Sequence, residues 1–283
     1  MTFSIVARSL DGRTWGVAVA SKFLAVGSAV PAAVAGIGAI ATQADANVAY
    51  KGLALAHIDE GATAEVALAR LLEEDEGRAH RQVGIVDVDG AAVTHTGEEC
   101  FDWAGGVTDE NVAIQGNILT GPEVVQEMKR SWDATSHEPD LSRRLLLALQ
   151  AGDEAGGDSR GRQSAALLVV REEAGYGGRD DVAVDLRVDD HERPCAELER
   201  LLDLNDLYLT ASAEEEKVPV TAELLTEVDD RARKLGHRDF MAWVGTENFE
   251  MRVGNDQPGG VAWVDEHILR TLRARTEPLE GRN

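Results

Sequence analysis

The chain opens with an alternating run of apolar and small polar residues that are rich in β-branched side chains. Residues 2–8 therefore predict a strand that starts at the N-terminal end. Residues 15–22 form a second run of the same kind, and Asp11-Gly12 between the two is a strong β-hairpin signal. Residues 23–35 have no clean periodicity, whereas residues 36–43 predict a third strand.

The middle of the chain alternates between groups of helices and groups of strands. Apolar residues at helical spacing predict helices over 47–60, 63–74, 120–135, 141–151 and 194–204. Period-two patterns predict strands over 81–88, 91–96, 112–118, 161–171 and 182–188. Because βαβ alternation is missing from this order, we predict an α+β fold with antiparallel sheets covered by helices rather than a doubly wound parallel sheet.

The last quarter of the chain has a different pattern. Residues 206–220 are charged and small, which is typical of a linker. Apolar residues beyond it predict helices over 220–235, 237–248 and 261–273. We therefore predict a large domain over 1–205 and a small helical domain over 221–283.

The charge balance narrows the possible partners. The chain has 51 Asp and Glu against 28 Lys and Arg, which gives a formal net charge of −23. Such an acidic surface argues against nucleic acid and anionic membranes as partners. An acid excess with few lysines is also how proteins stay soluble in a salt-rich cytoplasm, so we predict a halophilic source. Equal stability in low and molar salt would contradict that prediction.

Other features predict a cytoplasmic protein without cofactors. No leader precedes the first strand, and no apolar run reaches the roughly 18 residues that span a bilayer. Cys100 and Cys195 are far apart and form no CxxC pair, so we expect reduced thiols and no disulfide. The histidines and carboxylates show no metal-ligand spacing, which predicts no metal site.

Thr2 is the first candidate for chemistry. An initiator Met before a small residue is usually removed, and Thr2 would then have both a hydroxyl and a free α-amine. An α-amine with a pKa of about 8 can accept the proton of that hydroxyl near neutral pH. Ser21 and Lys22 end the return strand of the hairpin within plausible reach of Thr2. The alternative is that Thr2 is only a good strand former.

Polar residues beside glycine at strand ends are further candidates. His95 precedes a Gly turn, and Gln115 and Asn117 flank Gly116, which permits the close backbone approach of an oxyanion site. Each of these side chains also has a structural alternative, a hydrogen bond to a neighbouring loop. Arg160 and Arg162 would form a fork for a substrate carboxylate if the backbone there is extended, or would pair with surface acids instead.

Four segments resemble one family. Residues 2–7, 16–22, 114–119 and 156–158 with 161–166 resemble, in this order, segments of the domain of unknown function 1028 family, and the resemblance covers roughly residues 1–205. That family looks like the N-terminal nucleophile (Ntn) hydrolases, which implies a four-layer αββα sandwich. The resemblance implies Thr2 as nucleophile and its α-amine as base. It further implies support from Ser21 or Lys22 and from Asp158 with Ser164.

Two further points follow from the resemblance. Gln43 lies in the third strand, where Ntn hydrolases of the threonine type have a lysine. Residues 243–250 resemble a C-terminal extension of some family members that is labelled peptidoglycan-binding. That extension could equally mediate assembly. We predict a homo-oligomeric hydrolase of a C–N bond in a small molecule. Gln115 with Asn117, or nearby backbone N–H groups, would hold the oxyanion, and Arg160 or Arg162 would bind a substrate carboxylate. The alternatives are a non-catalytic binding protein on the same fold and an oligomeric scaffold.

Overall fold

A computed structural model describes residues 2–254 and 260–277. The predicted removal of Met1 lies outside these residues. The chain divides into two compact units, Met1–Leu201 and Leu202–Asn283, called here the N-terminal and C-terminal units. Each unit has its own hydrophobic core.

The N-terminal unit is a mixed α/β structure. Its strands are β1 (Thr2–Arg8), β2 (Thr14–Ser21), β3 (Pro31–Val34), β4 (Gly38–Ala44), β5 (Arg81–Asp87), β6 (Ala92–Thr96), β7 (Gly105–Asp109), β8 (Val112–Asn117), β9 (Ser164–Arg171) and β10 (Val182–Val188). Its helices are α1 (Val26–Ala29), α2 (Tyr50–Asp59), α3 (Ala64–Glu73), α4 (Glu123–Ala134), α5 (Leu141–Glu154) and α6 (Pro194–Tyr208), the last of which continues into the C-terminal unit.

These strands form two antiparallel sheets. The first has the order β10-β9-β2-β1-β8-β7, and the second has the order β3-β4-β5-β6. Strand β1 pairs with β2 on one side and with β8 on the other, so that Thr2 is opposite Asn117 and Phe3 is opposite Ala20. The predicted hairpin and the antiparallel pairing are thus confirmed.

Alternation along β1 determines which residues enter which core. Val6 packs with Val19 of the first sheet and with Ala41 and Val86 of the second, so this face of β1 points toward the second sheet. Residues Phe3 and Ile5 point the other way, and α5 contacts β1 and β2. Helices α2 and α3 cover β4 and β5 through apolar residues such as Ile40 and Leu68.

The structure adds elements that the sequence pattern did not predict. Strand β3, strand β7 and the short helix α1 lie in stretches rich in Gly, Ala and Pro, where periodicity is weak. The predicted strand 161–171 begins only at Ser164, because Gly161 has a φ of +106° and turns the chain.

The C-terminal unit contains a small three-stranded sheet beside its helices, and the prediction of a small helical domain did not include that sheet. Its elements are β11 (Lys217–Pro219), α7 (Ala222–Lys234), α8 (Phe240–Thr246), β12 (Val253–Gly254), β13 (Trp263–Asp265) and α9 (Glu266–Thr276). Strand β13 pairs with both β11 and β12, and Asp265 then caps α9 by accepting from His267 N at 2.7 Å. The predicted helix 261–273 therefore starts at Glu266, and the predicted linker ends as a strand.

A paired carboxylate links α7 to α9 and makes the stability of this unit pH-dependent. Arg273 and Arg231 each donate a hydrogen bond to Glu227 at 2.8 Å. These bonds lower the pKa of Glu227 to about 2, and the bond from Arg273 has the larger effect. Because the pKa is lowered on folding, the stabilisation is present above about pH 4.5 and is lost as the pH falls toward 2. We expect Glu227→Gln to lower the free energy of unfolding by about 1 kcal/mol at pH 7 and by much less at pH 3, in urea titrations.

The exposed Glu215, which lies in the same unit, provides the control. Glu215→Gln should leave the free energy of unfolding within about 0.5 kcal/mol of wild type at both pH values. An equal loss at pH 7 and pH 3 for Glu227→Gln would contradict the pairing.

Cysteine and metal chemistry receive no support from the described residues. Cys100 and Cys195 are free thiols, and burial raises the pKa of both, which keeps them protonated and weakly nucleophilic. Among residues 2–254 and 260–277, no cluster of His, Cys, Asp and Glu could hold a metal ion, and no helix is long and apolar enough to cross a membrane.

Candidate active site

Thr2 lies at the first position of β1 with its hydroxyl next to Ser21. Only 5% of Thr2 is exposed, and its Oγ1 is 3.1 Å from Ser21 Oγ. The pairing of Phe3 with Ala20 places Ser21 directly across the hairpin from Thr2. Because β1 is paired on both sides, the Thr2 backbone is held in place by the sheet.

Buried amides surround the Thr2 carbonyl. Gln43 Nε2 donates to Thr2 O at 3.3 Å, and Asn117 Nδ2 lies 3.5 Å from the same oxygen. Both amides also donate to Gln82 Oε1 at 2.8 Å. Since each of the three side chains is at most 1% exposed, Gln82 acts as a shared acceptor that fixes the orientation of the other two.

Gln82 is a member of this cluster that no sequence pattern singled out. Its own Nε2 donates to Gly116 O at 2.7 Å and to Thr96 Oγ1 at 2.9 Å, so it joins β5 to β8 and β6. The available signal was an uncharged amide at the start of an otherwise apolar strand. A buried polar side chain requires partners, and that requirement could have pointed to it.

Gln115 lies two residue pairs farther along the sheet than the Thr2–Asn117 pair. It is opposite Ser4, and its Nε2 donates to Ser4 Oγ at 2.7 Å. Ser4 in turn donates to Gln43 Oε1 at 2.7 Å. The structure therefore places Asn117 beside Thr2, whereas the Gln115 amide supports the layer beneath it.

The Gln115 amide packs so closely against Gly84 of the second sheet that no side chain fits at that position. A Cβ at Gly84 would lie 2.1 Å from Gln115 Oε1. We expect Gly84→Ala to lower the free energy of unfolding by about 1–3 kcal/mol in urea titrations, because the two sheets must separate or Gln115 must leave its partners.

Gly52 in α2 is a matched control, since a Cβ there meets nothing within 4 Å. Gly52→Ala should raise the free energy of unfolding by about 0.5–1 kcal/mol through helix propensity. A Gly84→Ala protein as stable as wild type would show that the sheets are not packed this closely.

Asp158 joins the loop before β9 to the end of β2. Its side chain is 2% exposed, and its carboxylate accepts from Lys22 N at 2.8 Å and from Arg160 N at 3.0 Å. The Arg160 guanidinium donates to the same carboxylate at 3.1–3.2 Å. Asp158 thus fixes the backbone immediately after Ser21, on the Thr2 end of the sheet.

The two arginines do not form the predicted fork. Arg160 pairs with Asp158, whereas Arg162 donates to both carboxylate oxygens of Asp153 at 2.7 and 2.9 Å. The extended backbone that would have aligned them is interrupted by the turn at Gly161. The alternative of pairing with acids is therefore what the structure shows for both.

Three other predicted residues make contacts of a structural kind. Ser164 is opposite Ser21 in β2, but its hydroxyl donates to Phe23 O and accepts from Val26 N, which fixes the loop after β2. His95 Nε2 is 3.1 Å from Arg78 O. Lys22 Nζ donates to Arg162 O at 3.2 Å.

A small cavity adjoins this end of the sheet. It has a volume of about 40 Å³ and is bordered by Phe3, Ser21, Asp158 and Arg162. That space is enough for one ordered water beside polar groups. At this end of the sheet the structure thus brings together the buried Thr2 hydroxyl, the neighbouring Ser21 hydroxyl and the oriented amides of Gln43 and Asn117.

Comparison with known proteins places the chain in a family. The model of the family of unknown function DUF1028 matches residues 2–198. The chain belongs to this family. The DUF1028 match ends before the C-terminal unit, and no curated protein matches the chain.

A solved DUF1028 structure is similar to this chain. It is the crystal structure of protein SPO2555 from Silicibacter pomeroyi, described as matching the DUF1028 family model. The two proteins share 32% sequence identity with a TM-score of 0.65, and the similarity covers 72% of this chain and 89% of that one. Over that 72% of the chain, the fold is therefore similar to that of a protein solved by crystallography.

Proposed function

We propose that the N-terminal unit is an Ntn-type amidohydrolase with four-layer αββα packing. The contact between Thr2 Oγ1 and Ser21 Oγ, at the start of a strand that is paired on both sides, is the observation that most supports this proposal. The layering is inferred from element contacts. Helix α5 contacts β1 and β2, those strands contact β4, and β4 contacts α2.

The reaction would use the Thr2 hydroxyl after Met1 has been removed. The Thr2 α-amine takes the proton of Oγ1, directly or through a water, and Oγ1 attacks the carbonyl carbon of an amide. The C–N bond then breaks, the leaving amine receives the proton, and an ester on Oγ1 remains. Water hydrolyses the ester with the same amine as base, which regenerates Thr2.

Neighbouring groups have distinct supporting roles in this proposal. Ser21 exchanges a hydrogen bond with Oγ1 and orients it. Asn117 Nδ2 donates to Gln82 Oε1 at 2.8 Å and makes only a long contact of 3.5 Å with Thr2 O, so in this proposal its second N–H turns from Thr2 O to the oxyanion. Asp158 positions the Lys22 backbone next to Ser21.

The C-terminal unit has no part in this chemistry in our proposal. The family match ends at residue 198, and the unit has its own core around Phe240, Trp243 and Phe249. We infer an accessory module of the peptidoglycan-binding-like kind or a module for homo-oligomer assembly. Light scattering of the full chain measures its oligomeric state and so tests the second of these roles.

Covalent trapping tests the proposed nucleophile. Intact mass first shows whether Met1 is absent, as the mechanism requires. A β-lactone probe should then add its full mass once, since ring opening forms an ester without a leaving group, and peptide mapping should place the adduct on Thr2. An adduct on another residue, or a mature chain that retains Met1, would overturn the proposal.

A further inference from the structure

A second cavity lies at the opposite end of β1 from Thr2. It has a volume of about 310 Å³ and is bordered by residues that follow β1 and by residues around the start of α5: Ser9, Leu10, Asp11, Ser136, His137, Glu138, Pro139, Leu141 and Arg144. Strand β1 has seven residues, so the cavity is about 20 Å from Thr2 at roughly 3.3 Å per residue. It is therefore separate from the candidate active site.

Arg144 borders this cavity and is a buried cation. Only 4% of the residue is exposed, and its guanidinium stacks over the Trp132 ring at 3.6 Å. Nη2 donates to Trp132 O at 3.1 Å, whereas the buried Nε has no hydrogen-bond partner in the part of the chain that the structure describes. Burial lowers the pKa of Arg144, against the attraction of Asp133 and Glu138.

The guanidinium lacks a counter-charge in direct contact. Within residues 2–254 and 260–277, Arg144 forms no ion pair within 4.0 Å. A neutral ring and one carbonyl offset only part of the cost of removing this cation from water. Its position in the first turn of α5 adds the positive end of the helix dipole. A carboxylate from outside the chain would supply what is missing, since a planar guanidinium binds carboxylates through two parallel N–H donors.

The cavity also offers negative charge a short distance away. Asp11 and Glu138 border it, and a hydrogen bond from Ser9 lowers the pKa of Asp11, which keeps that carboxylate ionised at neutral pH. A simple anion would be attracted by Arg144 and repelled by these two acids. A ligand with a carboxylate at one end and an ammonium beside it would satisfy both.

We propose that this cavity binds a small zwitterion of the α-amino acid class. Its carboxylate pairs with Arg144, and its ammonium pairs with Asp11 and Glu138. Leu10, Pro139 and Leu141 form an apolar wall that receives an aliphatic side chain.

Isothermal titration calorimetry on the full chain tests this site with three matched probes. L-Leucine has both charges, 4-methylpentanoate lacks the ammonium, and 3-methylbutylamine lacks the carboxylate. We expect L-leucine to bind with a Kd below about 10 mM and each of the other two to bind at least about tenfold more weakly. Undetectable L-leucine binding, or equal binding of 4-methylpentanoate, would overturn the proposal.

Variants locate the binding. Arg144→Met keeps the length of the side chain and should abolish L-leucine binding, whereas Arg143→Met, one residue earlier and outside the cavity lining, should bind like wild type. The double variant Asp11→Asn/Glu138→Gln changes only more exposed groups and tests the site even if Arg144→Met fails to fold. It should reduce the preference for L-leucine over 4-methylpentanoate to below about threefold. An unchanged preference would show that binding occurs elsewhere.

Discussion

Thr2→Ala is expected to reduce amide hydrolysis by at least about 10³-fold in kcat, because the nucleophilic oxygen is removed while the sheet is left intact. The measurement is a screen of small amides with mature wild type, followed by kcat and KM for each amide that is hydrolysed. Thr2→Ser should retain hydrolysis, because it keeps both the hydroxyl and the α-amine. Circular dichroism should be unchanged in both variants.

Thr14→Ala is the matched control for this experiment. Thr14 is the first residue of β2, at the other end of the same hairpin, so its replacement removes a strand threonine without touching Ser21. Its kcat should stay within about twofold of wild type. If Thr2→Ala hydrolyses as fast as wild type, the Thr2 mechanism is wrong whatever the substrate is.

Gln82→Leu is expected to lower the free energy of unfolding by about 3–5 kcal/mol, the largest stability effect that we anticipate. The substitution removes the shared acceptor of Gln43 and Asn117 and the donor to Gly116 O. Each buried group left without a partner costs about 1–3 kcal/mol. Leucine is similar in size, so the loss reports the hydrogen bonds rather than a cavity. Urea unfolding monitored by circular dichroism measures it.

Gln150→Leu serves as the comparison. Gln150 is also hydrogen-bonded, donating to Glu199 at 2.9 Å, but on the surface of α5. Its replacement should change the free energy of unfolding by no more than about 0.5 kcal/mol. A Gln82→Leu protein that loses less than about 1 kcal/mol would mean that the amides find other partners.

Local patterns predicted most of the fold of the N-terminal unit. The first hairpin follows from two period-two runs around Asp11-Gly12, and the pairing of β1 with β2 brings Ser21 to Thr2 as expected. Strand β7 was not predicted, because Gly105 and Gly106 leave it without an alternation of apolar and polar residues. In the C-terminal unit, β13 is only three residues long and runs directly into α9, so the pattern over 261–273 predicts one continuous helix.

The candidate site was predictable only where it depends on neighbours in one hairpin. The link between Gln43, Gln82 and Asn117 depends on how two sheets face each other, and that register is a property of long-range packing. The same limit applies to Arg162, since its partner Asp153 lies at the end of a helix whose position the local sequence does not define.

The burial of Thr2 has a practical consequence for how the protein should be produced. A purification tag fused ahead of the chain would convert the α-amine into a peptide bond at a residue that is 5% exposed. Under the proposed Thr2 mechanism such a fusion has no free α-amine, so we expect it to be inactive toward every amide, and a negative assay of the fusion would not test the proposal. A tag at the carboxyl end, or one that a protease removes to leave Thr2 first, avoids that false negative.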